Sequence, residues 1–364
     1  MTNVIFDRVS KQVGGFVLVD EFSMEVREGE LVVLVGPMGC GHTSLLRILA
    51  GLEEPSRGRI LMDGVEVNSI PPQDRGFSAV TDLNPRITIY QNIASALRTQ
   101  HLSRTQLDQR IREIAATHEL DQLLGLKPRD LTGRQYLWTA LTKASISRPS
   151  ALLMNQPLAS FCGELKAQAW RDVARFHHRS GATIIYAAYD PTEAMSIADR
   201  MVVMRDGRMH QVGTPRAVYS EPSDSFVAGF VGSPPMNLIP AIVSHEEGRI
   251  YLTWERGFRV AVPASRREQL QFHIGREVIL GIRPEDVQEA TGTSLPEKDC
   301  GVRATVDLVE YLGAQTVLNL QVGSAPITAC VRPETCPFVG DTIELCFDMT
   351  RAHIFDKQTE RRIV

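Results

Sequence analysis

The 364-residue sequence predicts an α/β domain followed by an all-β domain, because its pattern changes near residue 232. Before that point, short β-branched runs alternate with helical stretches, which is typical of a mainly parallel sheet with crossover helices. After it, short runs of alternating polar and apolar residues follow one another. The proline-rich stretch at 231–243 lies between the two patterns and predicts a join. We therefore expect domains at residues 1–234 and 235–364.

The composition is that of an ordinary globular chain, with 43% hydrophobic residues, 23% charged residues and a formal net charge of −4. Because long basic runs are absent, nothing in this balance favours nucleic acid as a partner. No apolar run reaches membrane-spanning length and the first ten residues do not resemble a signal peptide, so we expect residence in the cytosol. Six cysteines without C-x-x-C spacing favour reduced thiols without metal; they are Cys40, Cys162, Cys300, Cys330, Cys336 and Cys346.

The first strand, loop and helix of the α/β domain contain a glycine-rich loop, GPMGCGHTS at 36–44. The run LVVLV at 31–35 predicts a buried parallel strand, and SLLRILAG at 44–51 predicts a helix that stops at a glycine. Glycines at these positions let successive backbone N–H groups surround a phosphate, which also faces the positive end of the helix. The candidate phosphate-binding residues are Gly36, Met38, Gly39, Cys40, Gly41, His42, Thr43 and Ser44, with the Thr43 hydroxyl as a weak Mg²⁺ ligand.

This loop departs from the phosphate-binding pattern G-x-x-x-x-G-K-[ST] at one position, where His42 replaces the lysine. Histidine is shorter and mostly uncharged at neutral pH unless phosphates raise its pKa. On the loop alone, a glycine turn that binds nothing remains an alternative.

The other regular runs place further elements around this loop. Residues 151–154 and 183–187 predict strands of the same sheet, and a polar helical insert is expected at about 85–130, most periodic over 104–124. The second domain is predicted to be a small barrel or sandwich, with strands at 249–254, 258–262, 277–282, 303–312, 316–322 and 342–347.

Several segments occur in an order that resembles the ATP-binding subunit of bacterial ATP-binding-cassette (ABC) importers. They are GPMGCGHTSLLRILAGLEEPSRGRILMDG, LTGRQ, ALLMNQPLASF, ADRMVVMRDGRMHQVGTP and LGIRPEDV. Within this family the chain is most similar to the carbohydrate-uptake subgroup, typified by the maltose importer's ATPase. The resemblance implies an α/β P-loop ABC ATPase domain with a helical insert, and a C-terminal all-β, OB-like regulatory domain. It also implies ATP and Mg²⁺ as cofactors, with weakened binding in this chain.

The resemblance identifies the residues expected to carry the chemistry, and most of them differ from what hydrolysis requires. The family's two catalytic carboxylates fall at Asn155 and Gln156, and an amide is not a base. Its glutamine-loop position falls at Asp82, whose charge would repel a γ-phosphate, and its switch histidine falls at Tyr189. With His42, these residues predict a degenerate catalytic site.

Two further positions concern the nucleotide itself. The aromatic residue that stacks on adenine in the family is replaced by Val13, with Phe16 as a nearby substitute.

The family's signature segment, L-S-G-G-Q, corresponds to Leu131, Thr132, Gly133, Arg134 and Gln135. In the family's head-to-tail dimer this segment contacts the nucleotide bound to the opposite subunit. Thr132 keeps a hydroxyl, whereas Arg134 either obstructs the approach or supplies a cation to the partner's phosphates. An exposed arginine without a role is the alternative.

These observations favour a nucleotide-binding subunit of an ABC importer for a sugar, polyol or related solute, acting as the non-hydrolysing partner of an intact sister ATPase. The resemblance implies transmembrane permease partners, indirect contact with a solute-binding protein, no nucleic acid, and a peripheral position on the cytoplasmic face of the inner membrane. A weakly active homodimeric import ATPase and a free-standing regulatory pseudo-ATPase remain alternatives.

Overall fold

The computed structural model describes residues 3–80, 82–98, 102–159, 161–255, 258–290 and 301–364. Two compact units divide between Arg216 and Ala217, earlier than the predicted join after residue 234. Helix α8, Ser225–Phe230, belongs with the second unit because its Ala228 packs against Met236 and Phe355. Cys300 lies outside the described residues. Within the described part of the chain no disulfide joins the other five cysteines, Cys40, Cys162, Cys330, Cys336 and Cys346.

The first unit contains two sheets. One is antiparallel, in the order β2-β1-β4-β5; its strands are β1 Val4–Val13, β2 Phe16–Val26, β4 Arg57–Met62 and β5 Val65–Glu66. The other has the order β10-β9-β3-β8-β7-β6, parallel except for β10; its strands are β3 Leu31–Val35, β6 Phe77–Ala79, β7 Ala151–Asn155, β8 Ile184–Ala188, β9 Arg200–Arg205 and β10 Arg208–Gly213. Every residue of β3 is buried because the strand is paired on both sides and covered on both faces.

The helices of this unit include two that lie within the predicted helical insert at about 85–130. The helices are α1 His42–Leu49, α2 Ile89–Ala96, α3 Arg104–Thr117, α4 Gly133–Ser145, α5 Gly163–Ser180 and α6 Pro191–Ile197; α7, Pro215–Ser220, includes the division between the units. Apolar side chains of the two insert helices, α2 and α3, share a core cluster with α4. No helix among the described residues is long and apolar enough to cross a membrane.

The second unit consists mainly of two five-stranded antiparallel sheets, in the orders β13-β12-β11-β14-β20 and β15-β19-β16-β17-β18. The strands are β11 Asn237–Glu246, β12 Arg249–Trp254, β13 Phe258–Ala261, β14 Glu277–Ile282, β15 Val287–Glu289, β16 Gly301–Tyr311, β17 Thr316–Val322, β18 Ala325–Val331, β19 Thr342–Phe347 and β20 His353–Asp356, with the short helix α9 at Arg267–Leu270. Their buried side chains form one shared core, which confirms the predicted all-β class.

Strand β11 occupies the predicted join at 231–243 from Asn237 onward. Its residues are alternately buried and exposed from Asn237 to Val243, and Pro240 falls on the exposed face. Strand β14 pairs with residues 237–242 and β12 only with 242–246, so Pro240 lies where β11 has a neighbour on one side. Proline lacks an N–H and is tolerated where one side of a strand is unpaired.

Candidate nucleotide-binding site

The candidate residues of the first unit meet at one edge of the parallel sheet. In the order β3-β8-β7, β3 leads into the loop at 36–41, β7 ends at Asn155, and Tyr189 follows β8. Ala187 on β8 pairs with both Leu34 on β3 and Asn155 on β7, so the three strands end level with one another. In open α/β sheets, ligands bind at the carboxyl ends of the strands.

Two loop glycines are required by close packing and a third by its backbone conformation. A Cβ atom on Gly36 would lie 2.1 Å from the Met204 carbonyl oxygen, and one on Gly41 would lie 2.3 Å from that of Leu18. Gly39 has a φ of +87° and no described atom within 4 Å of its Cβ position. The loop is therefore packed tightly at both ends and open in the middle, which allows backbone N–H groups to face an anion.

The other loop side chains differ in exposure. Met38 is 86% exposed, whereas Cys40 is buried, and burial raises the pKa of its thiol. Thr43 and Ser44 are half-buried in the first turn of α1. The predicted phosphate-binding residues are thus contiguous in space, but few of their side chains reach the surface.

His42, at the lysine position, is only 2% exposed. Burial lowers the pKa of His42 to about 4, against the opposing effect of the Ala188 backbone. Its Nδ1 atom lies 3.2 Å from the Thr43 hydroxyl, its ring lies 4.9 Å from that of Tyr189, and its Nε2 atom has no hydrogen-bond partner among the described residues. A neutral, enclosed imidazole cannot supply the positive charge of the missing lysine.

The Thr43 hydroxyl donates a hydrogen bond to the Asn155 side-chain oxygen at 3.3 Å. Gln156 follows with a φ of +50°, and its backbone N–H bonds to the Ala187 carbonyl at 2.9 Å. Among the described residues, no group of three or more His, Cys, Asp or Glu side chains is placed to hold a metal. A hydroxyl and an amide oxygen are neutral ligands, so they fit a Mg²⁺ ion whose charge is met by the nucleotide's phosphates rather than by carboxylates.

Asp82 is hydrogen-bonded to helix α4. Its carboxylate accepts a hydrogen bond from the Tyr136 hydroxyl at 3.1 Å, and its backbone oxygen accepts one from Lys143 at 3.3 Å. Tyr136 also accepts a hydrogen bond from the Leu83 backbone N–H at 2.9 Å. Sequence reasoning missed Tyr136, a residue of α4 that anchors this loop; its partners lie more than 50 residues away, so no local pattern signals them.

Val13 and Phe16 are paired at the tip of the β1–β2 hairpin and are 52% and 76% exposed. Gly14 and Gly15 join them, both with positive φ, which is the conformation of a two-residue hairpin turn. Leu18, two residues further along β2, is the residue whose carbonyl approaches Gly41 of the loop. The hairpin tip therefore lies near the phosphate-binding loop and offers an apolar surface.

The signature segment begins helix α4 with a complete capping box. The Thr132 hydroxyl accepts the Gln135 backbone N–H at 3.3 Å, and the Gln135 side chain accepts the Thr132 backbone N–H at 2.9 Å. Leu131 precedes the cap in extended conformation, and a Cβ atom on Gly133 would lie 3.2 Å from the Phe161 ring. Thr132 and Gly133 are exposed at the helix N-terminus.

Arg134 has a partner inside the chain that sequence reasoning missed. Its Nε and Nη2 atoms donate to the Asp172 carboxylate at 2.7 and 3.0 Å. Asp172, on α5, is 2% exposed and also accepts a hydrogen bond from Arg175 at 3.1 Å. No local pattern signals this pairing, because Arg134 and Asp172 are 38 residues apart.

Three family models match the chain: ABC transporter over residues 19–159, MalK OB fold domain over 232–287 and TOBE domain over 280–355. The trehalose/maltose import ATP-binding protein MalK of Thermococcus litoralis is 39% identical over 376 residues, covering 100% of both chains. The chain belongs to the ATP-binding proteins of ABC transporters. The fold class predicted from the sequence is therefore confirmed, with the MalK-type OB and TOBE domains forming its all-β part.

Other relatives of this ABC protein cover nearly all of the chain. The oligosaccharides import ATP-binding protein MsmX of Bacillus subtilis is 35% identical, covering 95% of this chain and 94% of its own. An sn-glycerol-3-phosphate import ATP-binding protein of Rhizobium johnstonii is also 35% identical, covering 98% and 94%. A solved ATP-binding cassette of an ABC transporter, in its ADP conformation, matches 61% of this chain with a TM-score of 0.54 and 18% identity, which shows the fold alone.

Proposed function

We propose that this chain is the nucleotide-binding subunit of an ABC importer for a carbohydrate-type solute and is the non-hydrolysing partner of an intact sister ATPase. Relatives named for import of trehalose and maltose, oligosaccharides and glycerol phosphate support the solute class. By the same kinship we propose docking on transmembrane permease subunits at the cytoplasmic face of the membrane, with indirect dependence on a solute-binding protein. The observation that carries the non-hydrolysing role is the neutral, enclosed state of His42 beside the amides at Asn155 and Gln156.

Hydrolysis of a nucleotide phosphate requires charge compensation, a held Mg²⁺ ion and a group that orients and deprotonates water. Membership of the family implies ATP and Mg²⁺ at the glycine loop, where Gly39 leaves room for phosphate. Losing the lysine's charged hydrogen bond costs about 1.5–3 kcal/mol, or roughly 10- to 150-fold in affinity. Since Asn155 and Gln156 cannot act as bases, nucleotide bound here would stay intact.

In this family each nucleotide site is completed by the signature segment of the other subunit. Here Thr132 and Gly133 present a hydroxyl and the first backbone N–H groups of α4. Arg134 is bound to Asp172 within the chain, so we assign the contribution across the interface to Thr132 and Gly133 instead. This chain would thereby support catalysis on the sister subunit without performing it.

The test is phosphate release by the purified chain with ATP and Mg²⁺. We expect no hydrolysis above background in the wild type, and a measurable rate in the triple variant His42→Lys, Asn155→Asp, Gln156→Glu, which restores the family's charges. Steady turnover in the wild type that disappears in Gln156→Ala would contradict the proposal.

The composition of the complex purified from its native membrane tests the second half of the proposal. We expect one intact ATP-binding cassette beside this chain. A complex that holds two copies of this chain and hydrolyses ATP would instead support the homodimeric alternative.

A further inference from the structure

A cavity of about 450 Å³ lies in the first unit beside α4, the helix that begins with the signature segment. None of its lining residues belongs to the phosphate-binding loop. Its walls are the segment that follows α3 (residues 118–123), the first turns of α4 and the last turns of α5. We call it the signature-side cavity. Its volume lies in the range of small-molecule sites, about 300–1,000 Å³.

Three arginines line this cavity, Arg134 from α4 and Arg175 and Arg179 from α5. Arg134 and Arg175 share the carboxylate of Asp172, whose side chain is 3% exposed. These two arginines and one aspartate together carry one positive charge that is not matched. Arg179 lies 3.7 Å from Glu119, which is 80% exposed, so water screens the attraction between them. The three guanidinium groups are about half exposed and retain N–H donors for an anion.

The wall beside these arginines is aromatic. Trp138 donates from Nε1 to the His118 backbone carbonyl at 2.7 Å, which fixes its ring. Buried Phe176 stacks on His118 at 5.7 Å and meets Trp138 edge-on at 5.8 Å. Burial, and secondarily the charge of Arg179, lower the pKa of His118, whose Nδ1 atom has no hydrogen-bond partner among the described residues. This wall offers an apolar ring face and a neutral imidazole.

Hydrogen-bonding groups complete the lining. Glu119 and Asp121 provide carboxylates, and Gln122 and Gln135 provide amides. Carboxylates and amides bind hydroxyl groups, whereas paired guanidinium groups bind phosphate. We propose that the signature-side cavity binds a small phosphorylated sugar or polyol, with its phosphate on Arg175 and Arg179 and its hydroxyls on the carboxylates and amides.

An anion fits this cavity better than a cation would. The two carboxylates at the rim are exposed and screened, and the buried one, Asp172, is already bound by two arginines. A bound phosphate would gain charge-assisted hydrogen bonds, while the aromatic wall would cover the apolar face of the ring. Because Arg134 and Gln135 belong to the signature segment, the ligand would bind against the first turn of α4.

The test is calorimetric titration of the full chain with glucose 6-phosphate, with glucose and inorganic phosphate as separate arms. We expect binding of glucose 6-phosphate with a Kd of about 1 mM or lower, and at least tenfold weaker binding of either part alone. Arg175→Ala and Arg179→Ala should each weaken it roughly tenfold or more, because each removes a charge-assisted hydrogen bond.

Arg171→Ala is the matched control, since Arg171 is an exposed arginine of α5 outside the cavity, and it should bind like the wild type. Thermal unfolding of the three variants checks that they are folded. Equal binding of inorganic phosphate and glucose 6-phosphate would overturn the carbohydrate assignment. Absence of binding, or binding unchanged in Arg175→Ala and Arg179→Ala, would overturn the site.

Discussion

The phosphate-binding loop and the signature segment handle charge in different ways. In the loop, the glycine packing is intact, but Thr43 contacts both His42 and Asn155, and these three side chains carry no net charge. In the signature segment, the cap is intact and the added arginine shares the buried carboxylate of Asp172 with Arg175. The loop has a neutral histidine where the phosphate-binding pattern has lysine, and the signature segment has an arginine that is paired within the chain.

The difference teaches that shape and charge are separable in this fold. Backbone positions such as Gly36 and Gly41 are held by contacts with neighbouring strands, whatever the side chain at residue 42 does. The cap at Thr132 is local and does not depend on Arg134. The architecture of both regions can therefore be kept while the charged side chains in them change.

The largest expected effect comes from forcing a side chain into the packed end of the loop. Gly36→Ala places a Cβ atom 2.1 Å from the Met204 carbonyl, so we expect a loss of about 3 kcal/mol or more in the free energy of unfolding, or failure to fold. Gly39→Ala meets open space and should cost only about 1 kcal/mol, from its positive φ. Denaturant unfolding measures both, and equal losses would refute the distinction between packed and open ends.

The next effect concerns the shared carboxylate. Arg134→Ala should cost about 1 kcal/mol or less, because Arg175 still binds Asp172. The double variant Arg134→Ala, Arg175→Ala leaves the buried Asp172 carboxylate without either arginine. It should lower the free energy of unfolding by about 3 kcal/mol, more than the sum of the two single losses. A double-mutant cycle in urea tests this, with Arg171→Ala as control; additive losses would mean that Asp172 does not couple the two arginines.

A smaller effect follows from the neutral imidazole in the loop. The pKa of His42 is about 4 in the folded chain against an ordinary 6.5, so the unfolded chain binds more protons between those values and stability falls as pH drops from 6.5 toward 4. At pH 5 this amounts to at most about 2 kcal/mol. His42→Gln should flatten that part of the pH profile.

Burial similarly lowers the pKa of His353 in the second unit to about 4. The effect of His353 on the pH dependence of stability is the same in wild type and His42→Gln, so the difference between their two profiles reports His42. Identical profiles for wild type and His42→Gln would mean that His42 is not held neutral by burial.

The smallest effect separates stability from function in the signature segment. Thr132→Ala removes a cap and should cost about 1 kcal/mol, as should Thr88→Ala at the equivalent capping box of α2. In the complex with its sister subunit, only Thr132→Ala should lower the ATPase rate, because only that hydroxyl is proposed to reach the partner's nucleotide. Equal rates in the two variants would remove Thr132 from the proposed interface.

Much of the fold follows from local patterns. Predicted strands match β3, β12, β14, β17 and β19 residue for residue, because their alternation or buried runs are unbroken. Strands β1 and β2 are singled out by no such pattern, since register shifts and the positive φ of Arg8 and Glu21 interrupt their alternation. Strand β11 was not predicted because it contains Pro240. Proline is tolerated there because β14, but not β12, pairs with that part of β11.

By itself the sequence determined the glycine loop, the division into an α/β and an all-β part, and the amides at Asn155 and Gln156, because each depends on residues close together in the chain. Only the tertiary structure decided that His42 is enclosed, that Asp82 joins Tyr136, and that Arg134 joins Asp172. The physical reason is that burial and ion pairing depend on groups brought together from distant segments. A side chain's charge is therefore known from the sequence, but the groups that compensate it are not.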